Sequence, residues 1–191
     1  MRNIIKTFFV MLMMSFNNAA TAGDYEDGLA AAHNDEFATA LRLWTPLAEQ
    51  GDADAQYSLG VMYEQGDGVA QNYKTAVKWY SLAAEQRNAS AQVNLGLMYA
   101  QGQGVAQDYK TAVKWYTLSA EQGIARAQTN LGLMYAQGKG VAQDYKTAVK
   151  WYTRAAEQEH ASGQTNLGTM YDQDPGGAGV RRDDVLQYRC N

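Results

Sequence analysis

The chain is short of the residues that staple small exported domains or make them reactive. It carries one cysteine, Cys190, in 191 residues. One thiol cannot close an internal disulfide, so packing alone must hold the fold. The two histidines, His33 and His160, are far apart in the sequence. Neither a metal nor a cofactor is expected from such a set. Only Pro46 and Pro175 interrupt a chain rich in Ala, Leu, Gln, Glu and Lys, a composition that favours helix. The formal charge of −4 argues against nucleic acid or an anionic membrane as partner.

Long apolar runs are missing too. The stretch Thr7 to Phe16 is too short to span a bilayer. It follows a basic start, Arg2 and Lys6, and precedes Ala20-Thr21-Ala22, the small-residue pattern cut by signal peptidase. A signal peptide is expected over 1–22, with a mature chain starting at Gly23 in the periplasm or secreted, and no membrane insertion after cleavage. Loss of Arg2 and Lys6 takes the formal charge from −4 to −6.

What the chain has in quantity is itself. AQGQGVAQDYKTAVKWY begins at Ala100 and AQGKGVAQDYKTAVKWY at Ala136, thirty-six positions apart and differing only at Gln103 against Lys139. YKTAVKWY begins at Tyr73, Tyr109 and Tyr145; AQYSLGVMY, AQVNLGLMY, AQTNLGLMY and GQTNLGTMY begin at Ala55, Ala91, Ala127 and Gly163. A fixed period of this length marks a stacked repeat architecture.

Each copy reads as two helices. The first spans about Asp54 to Gln65, with Ala55, Leu59, Met62 and Tyr63 on one face and Gly66 as a left-handed stop. Asn72, Asp108 and Asp144 stand where the second helix needs an N-cap. That helix spans about Tyr73 to Gln86. Ala76, Trp79, Tyr80 and Ala83 form its buried stripe, and Lys74, Lys78, Ser81 and Glu85 its outer one. One pair cannot bury such a face, whereas stacked copies can. By the same phase Trp115 is expected to be wedged between neighbouring copies.

The motifs A-Q-x-x-L-G-x-M-Y, Q-G-x-G-V-A-Q-D-Y and A-V-K-W-Y-x-x-A-A-E-Q together resemble the Sel-one-like repeat (SLR), a relative of the tetratricopeptide repeat. The resemblance covers nearly all of Asp52 to Tyr171. It implies an all-α fold, a right-handed α-solenoid of antiparallel helix pairs. The expected divisions are a capping pair at 23–51, repeats at 52–87, 88–123 and 124–159, and an incomplete repeat at 160–191. In that last copy three extra loop residues precede a second helix beginning at about Asp183, and Cys190 takes the place of Trp151.

The functional expectation is protein–protein interaction without catalysis, in a scaffold, regulator or assembly role, with a protein or extended peptide as partner. An immunity-type binder that sequesters a toxic effector is a variant of this reading. A β-lactamase or cell-wall hydrolase is the rival. The cysteine-rich SLR proteins with such assignments carry paired cysteines in each repeat, which this chain lacks. The glycine-rich loops stand where helices stop, with no strand before them, so they read as turns and not phosphate cradles. Glu85, Glu121 and Glu157 recur once per copy and read as solvated or lysine-paired.

In the family the first helices line a concave groove. That stripe holds Asn94, Leu97 and Gln101, then Asn130, Leu133 and Gln137, then Asn166. A carboxamide donates and accepts at once, so the asparagines could clamp a peptide backbone with the leucines as apolar contacts. The alternative is that the asparagines bond between repeats and the leucines pack there. A ridge of Lys74, Lys78, Lys110, Lys114, Lys146 and Lys150 suits solubility, or an acidic partner.

Overall fold

The structure, a computed structural model, describes residues 23–173. The expected signal peptide and the helix expected from Asp183, with Cys190, lie outside the described residues. All regular structure among the described residues is α-helical: α1 over 23–33, α2 Phe37–Glu49, α3 Ala53–Gln65, α4 Tyr73–Glu85, α5 Ala89–Gln101, α6 Tyr109–Glu121, α7 Ala125–Gln137, α8 Tyr145–Ala156 and α9 Ala161–Gln173. The described residues fall into two compact units, 23–82 and 83–173.

Local chemistry sets the helix ends. Asp108 Oδ1 accepts the backbone N–H of Lys110 and Thr111, and Asp144 Oδ1 that of Thr147. These bonds satisfy donors with no partner inside the helix. Asn72 caps α4 in the same way through Thr75 N–H at 3.0 Å. The hydroxyls of Thr111 and Thr147 donate to the same carboxylates at 2.6 Å. Those hydroxyl bonds, followed by the backbone ones, hold both aspartates below the usual carboxylate range. At the other end, Gly66, Gly102 and Gly138 stop α3, α5 and α7 with φ of 86°, 72° and 65°, a region glycine enters without steric cost.

In the first unit, Ala31, Trp44, Leu47, Leu59 and Met62 make the core. Trp44 Nε1 donates to the Tyr25 carbonyl at 3.2 Å. In the second, Val93, Ala112, Val113, Tyr116, Leu131 and Met134 pack together across α5, α6 and α7, and Val149, Tyr152 and Leu167 across α8 and α9.

The contact that brings the helices of a pair together is a glycine against an aromatic ring. A Cβ on Gly60 would lie 2.4 Å from the Tyr80 ring, on Gly96 2.6 Å from Tyr116, and on Gly132 2.7 Å from Tyr152. All three rings are nearly inaccessible. Burial pushes the Tyr116 phenol upward, and that of Tyr152 up to about 12.

Trp115 does not take the wedged position expected of it. The buried residues of α6 are Ala112, Val113, Tyr116, Ser119 and Ala120. That stripe faces both α5 and α7 and leaves Trp115 half-buried at its edge, with Lys114 Nζ 5.5 Å from its ring centre. Trp79 is likewise half-buried. Trp151 is the buried one, with the Arg154 guanidinium 4.9 Å from its ring.

Candidate functional site

The first helices of the second unit, α5 and α7, are buried on more than one face because second helices pack against them. In α5, Ala91 to Gly96 are all buried, as is Met98. Polar residues inside such a helix must find partners. Gln92 Nε2 donates to the Ala84 carbonyl and Gln92 Oε1 accepts from Gln122 Nε2 at 2.8 Å; Gln128 repeats both bonds with Ala120 and Gln158.

The seven residues of the expected strip all fall on α5, α7 and α9, but in unlike surroundings. Asn94 is buried, and its Oδ1 accepts from the Arg126 guanidinium of the next repeat. This is a bond between repeats. Asn130 is half-buried. The residue in Arg126's position one repeat on is Ser162, whose side chain is far shorter. Asn166 is also half-buried. Leu97 and Leu133 are half-buried and pack against the core while keeping an open side. Gln101 and Gln137 are exposed.

The loops carry structure. A Cβ on Gly140 would lie 2.3 Å from the Tyr109 carbonyl oxygen, so the glycine lets the loop close onto the start of α6. His160 is a helix-end residue: its Nδ1 accepts from Gly163 N–H at 3.3 Å and lies 3.1 Å from Thr129 Oγ1. Among the described residues no three His, Cys, Asp or Glu side chains gather to hold a metal ion, and no helix is long and apolar enough to cross a membrane. Lys110, Lys114, Lys146 and Lys150 are exposed.

Sequence reasoning missed two features. One is the bond from Arg126 to Asn94. The signal was the lone arginine among Ser90, Arg126 and Ser162 at equivalent positions. The other is a cleft of about 350 Å³ lined by Trp115, Leu118, Arg87, Glu85 and Glu121. Leu118 stands where the next copy has Arg154, which covers its tryptophan.

Stacked helix pairs, with a glycine set against an aromatic ring within each pair and Gln92 and Gln128 bonded to the carbonyls of Ala84 and Ala120 in the preceding pair, define an α-solenoid of repeats. The Sel1 repeat model matches residues 53–88, 89–124 and 125–160, and the chain belongs to the Sel1 repeat family, whose repeats are protein-interaction modules. A Sel1 repeat protein from Oxalobacter formigenes superposes with a TM-score of 0.78 at 36% identity, covering 86% of this chain and 67% of that one. A protective antigen of uropathogenic Escherichia coli strains with an SLR fold gives 0.81 at 38%, covering 93% of this chain but 39% of its own. Helicobacter pylori cysteine rich protein B, at 22% identity and a TM-score of 0.53 over 67% of this chain and 92% of that one, shares the fold. No curated protein gives a significant match.

Proposed function

We propose that the chain is an exported binding module, without catalysis of its own, that holds an extended segment of a partner protein along the face of α5, α7 and α9. The observation that carries this reading is the contrast between Asn94 and Asn130. Arg126 occupies the first amide, while Ser162 leaves the second half-exposed beside Leu133, with Gln137 one turn further on. An open carboxamide flanked by a partly exposed leucine offers a peptide both a backbone clamp and apolar contact. Export rests on the basic start, the apolar run and Ala20-Thr21-Ala22. A scaffold or assembly role in the periplasm follows from the two together.

The test compares immobilised wild-type protein with Asn130→Ala in a periplasmic extract. A partner retained by the wild type should be lost or weakened about tenfold by the variant, with melting temperature unchanged, since truncating a central contact costs about 1–2 kcal/mol. A lower melting temperature with undiminished binding would assign Asn130 to packing. An intact Met1 on protein from the periplasmic fraction would refute export.

A further inference from the structure

We propose that the cleft beside Trp115 is a seat for an arginine side chain of a partner protein. The guanidinium would lie on the indole, within reach of the carboxylates of Glu85 and Glu121.

The chain itself shows what fills such a seat. One repeat on, the Arg154 guanidinium lies 4.9 Å from the Trp151 ring centre, and that ring is 9% exposed. An indole face attracts a cation, and the flat guanidinium also stacks on it. Trp115 stands in the same slot, but the residue three further on is Leu118. A leucine carries no charge to place on the ring. Leu118 is 38% exposed, Trp115 is half-buried, and the cleft of about 350 Å³ lies against both.

The rest of the seat is kept. Glu85 and Glu121 line the cleft where the filled copy has Glu121 and Glu157. Such carboxylates can accept charge-assisted hydrogen bonds from a guanidinium. Lys114 Nζ is 5.5 Å from the Trp115 ring centre. Lys150 precedes Trp151 in the same way and does not keep Arg154 from that ring. Arg87 is the one charge that departs from the pattern, since the filled copy has Gly123 there. It opposes a second guanidinium.

The shape suits a side chain. Glu85, Arg87, Lys114, Leu118 and Glu121 are all exposed. An occupant therefore stays wet on one side, as an arginine does when its stem lies on apolar groups and its backbone remains outside. Every lining residue belongs to the second unit, and none belongs to the strip containing Asn130.

The probe is acetyl-arginine amide, titrated into the full chain while tryptophan fluorescence is followed. A saturable change is expected with a dissociation constant of about 1 mM, as for a ligand of this size. Trp115→Leu should abolish it. Acetyl-citrulline amide keeps the shape without the charge and should bind at least about tenfold more weakly. Leu118→Arg rebuilds the filled copy, so it should lose the probe and melt at or above the wild-type temperature. Arg87→Gly should tighten binding about two- to fivefold, the range of one exposed charge pair. The proposal is overturned by no saturable change up to about 10 mM, by equal binding of the citrulline probe, or by Arg87→Gly binding no tighter than the wild type. A Leu118→Arg variant that melts lower or still binds the probe would also refute it. Free arginine binding at least about tenfold tighter than its amide would assign the seat to a small molecule instead. Trp115 fluorescence inaccessible to acrylamide in the wild type would mean that the chain's own residues, or a second copy's, already fill the seat.

Discussion

Gly96 and Gly168 occupy the same slot of the repeat, and alanine at the two should change stability in opposite directions. Intrinsic helix propensity favours alanine over glycine by about 0.8–1.0 kcal/mol, and that gain applies to both mid-helix positions. At Gly168 nothing opposes it, since the added Cβ meets nothing within 4 Å. At Gly96 the Cβ would lie 2.6 Å from Tyr116 Cε1, 2.7 Å from Cδ1 and 3.2 Å from Cζ. The ring is 1% exposed and cannot swing aside, so α5 and α6 must separate. Overpacking of this kind costs about 1–3 kcal/mol, and a clash with a rigid ring belongs in the upper part of that range, about 2–3 kcal/mol. The net expectation is a loss of about 1–2 kcal/mol for Gly96→Ala and a gain of up to about 1 kcal/mol for Gly168→Ala. In thermal melts this is a fall of about 2–8 °C against a rise of up to about 4 °C. Urea midpoints should shift in the same two directions. A rise for both variants would refute the close-packed glycine–tyrosine contact.

Four further outcomes are expected. Trp44→Ala should cost about 3–5 kcal/mol, the range for a fully buried aromatic, while Trp115→Ala, half-buried at a stripe edge, should cost about 1–2 kcal/mol; equal losses in urea melts would contradict the assigned phase of α6. Gln92→Ala removes one hydrogen bond to the Ala84 carbonyl and one from Gln122 and should cost about 1–2 kcal/mol, whereas the exposed Gln101→Ala should be neutral. Glu159, held at φ of 58° where an earlier copy has Gly123, should gain about 1 kcal/mol on replacement by glycine, read as a higher urea midpoint. For the tyrosines, burial raises the folded pKa of Tyr152 to about 12 and that of Tyr116 further, above the unfolded value near 10. Their neutral forms therefore favour the folded state fully below about pH 10, and that stability is lost as pH rises through the folded values. Absorbance titration at alkaline pH should show late phenols in folded protein, Tyr116 and Tyr152 among them and Tyr25 also raised by burial, that disappear in denaturant.

Much of the fold was legible because it rests on contacts within one turn or one loop. The period of thirty-six names the architecture. Asn72, Asp108 and Asp144 announce helix starts, since a side chain two or three residues away from the free N–H groups is enough to cap them. Gly66, Gly102 and Gly138 announce helix ends, since a left-handed φ is a property of one residue. These follow from the chain alone whatever lies beyond the repeat.

The tertiary structure decided how residues in the same slot diverge. Asn94 and Asn130 share a motif position, and only the arrival of Arg126 over one and Ser162 over the other makes them differ. Trp115 and Trp151 share another, and the residue three further on, Leu118 or Arg154, leaves one ring open and covers the other. Gly96 and Gly168 are indistinguishable along the chain, yet a tyrosine ring presses on the first and nothing on the second. Periodicity fixes which face a side chain takes on its own helix, but burial and bonding depend on the neighbour across the interface, often some twenty to thirty residues away. Once copies of a repeat have diverged, their motif does not encode that neighbour.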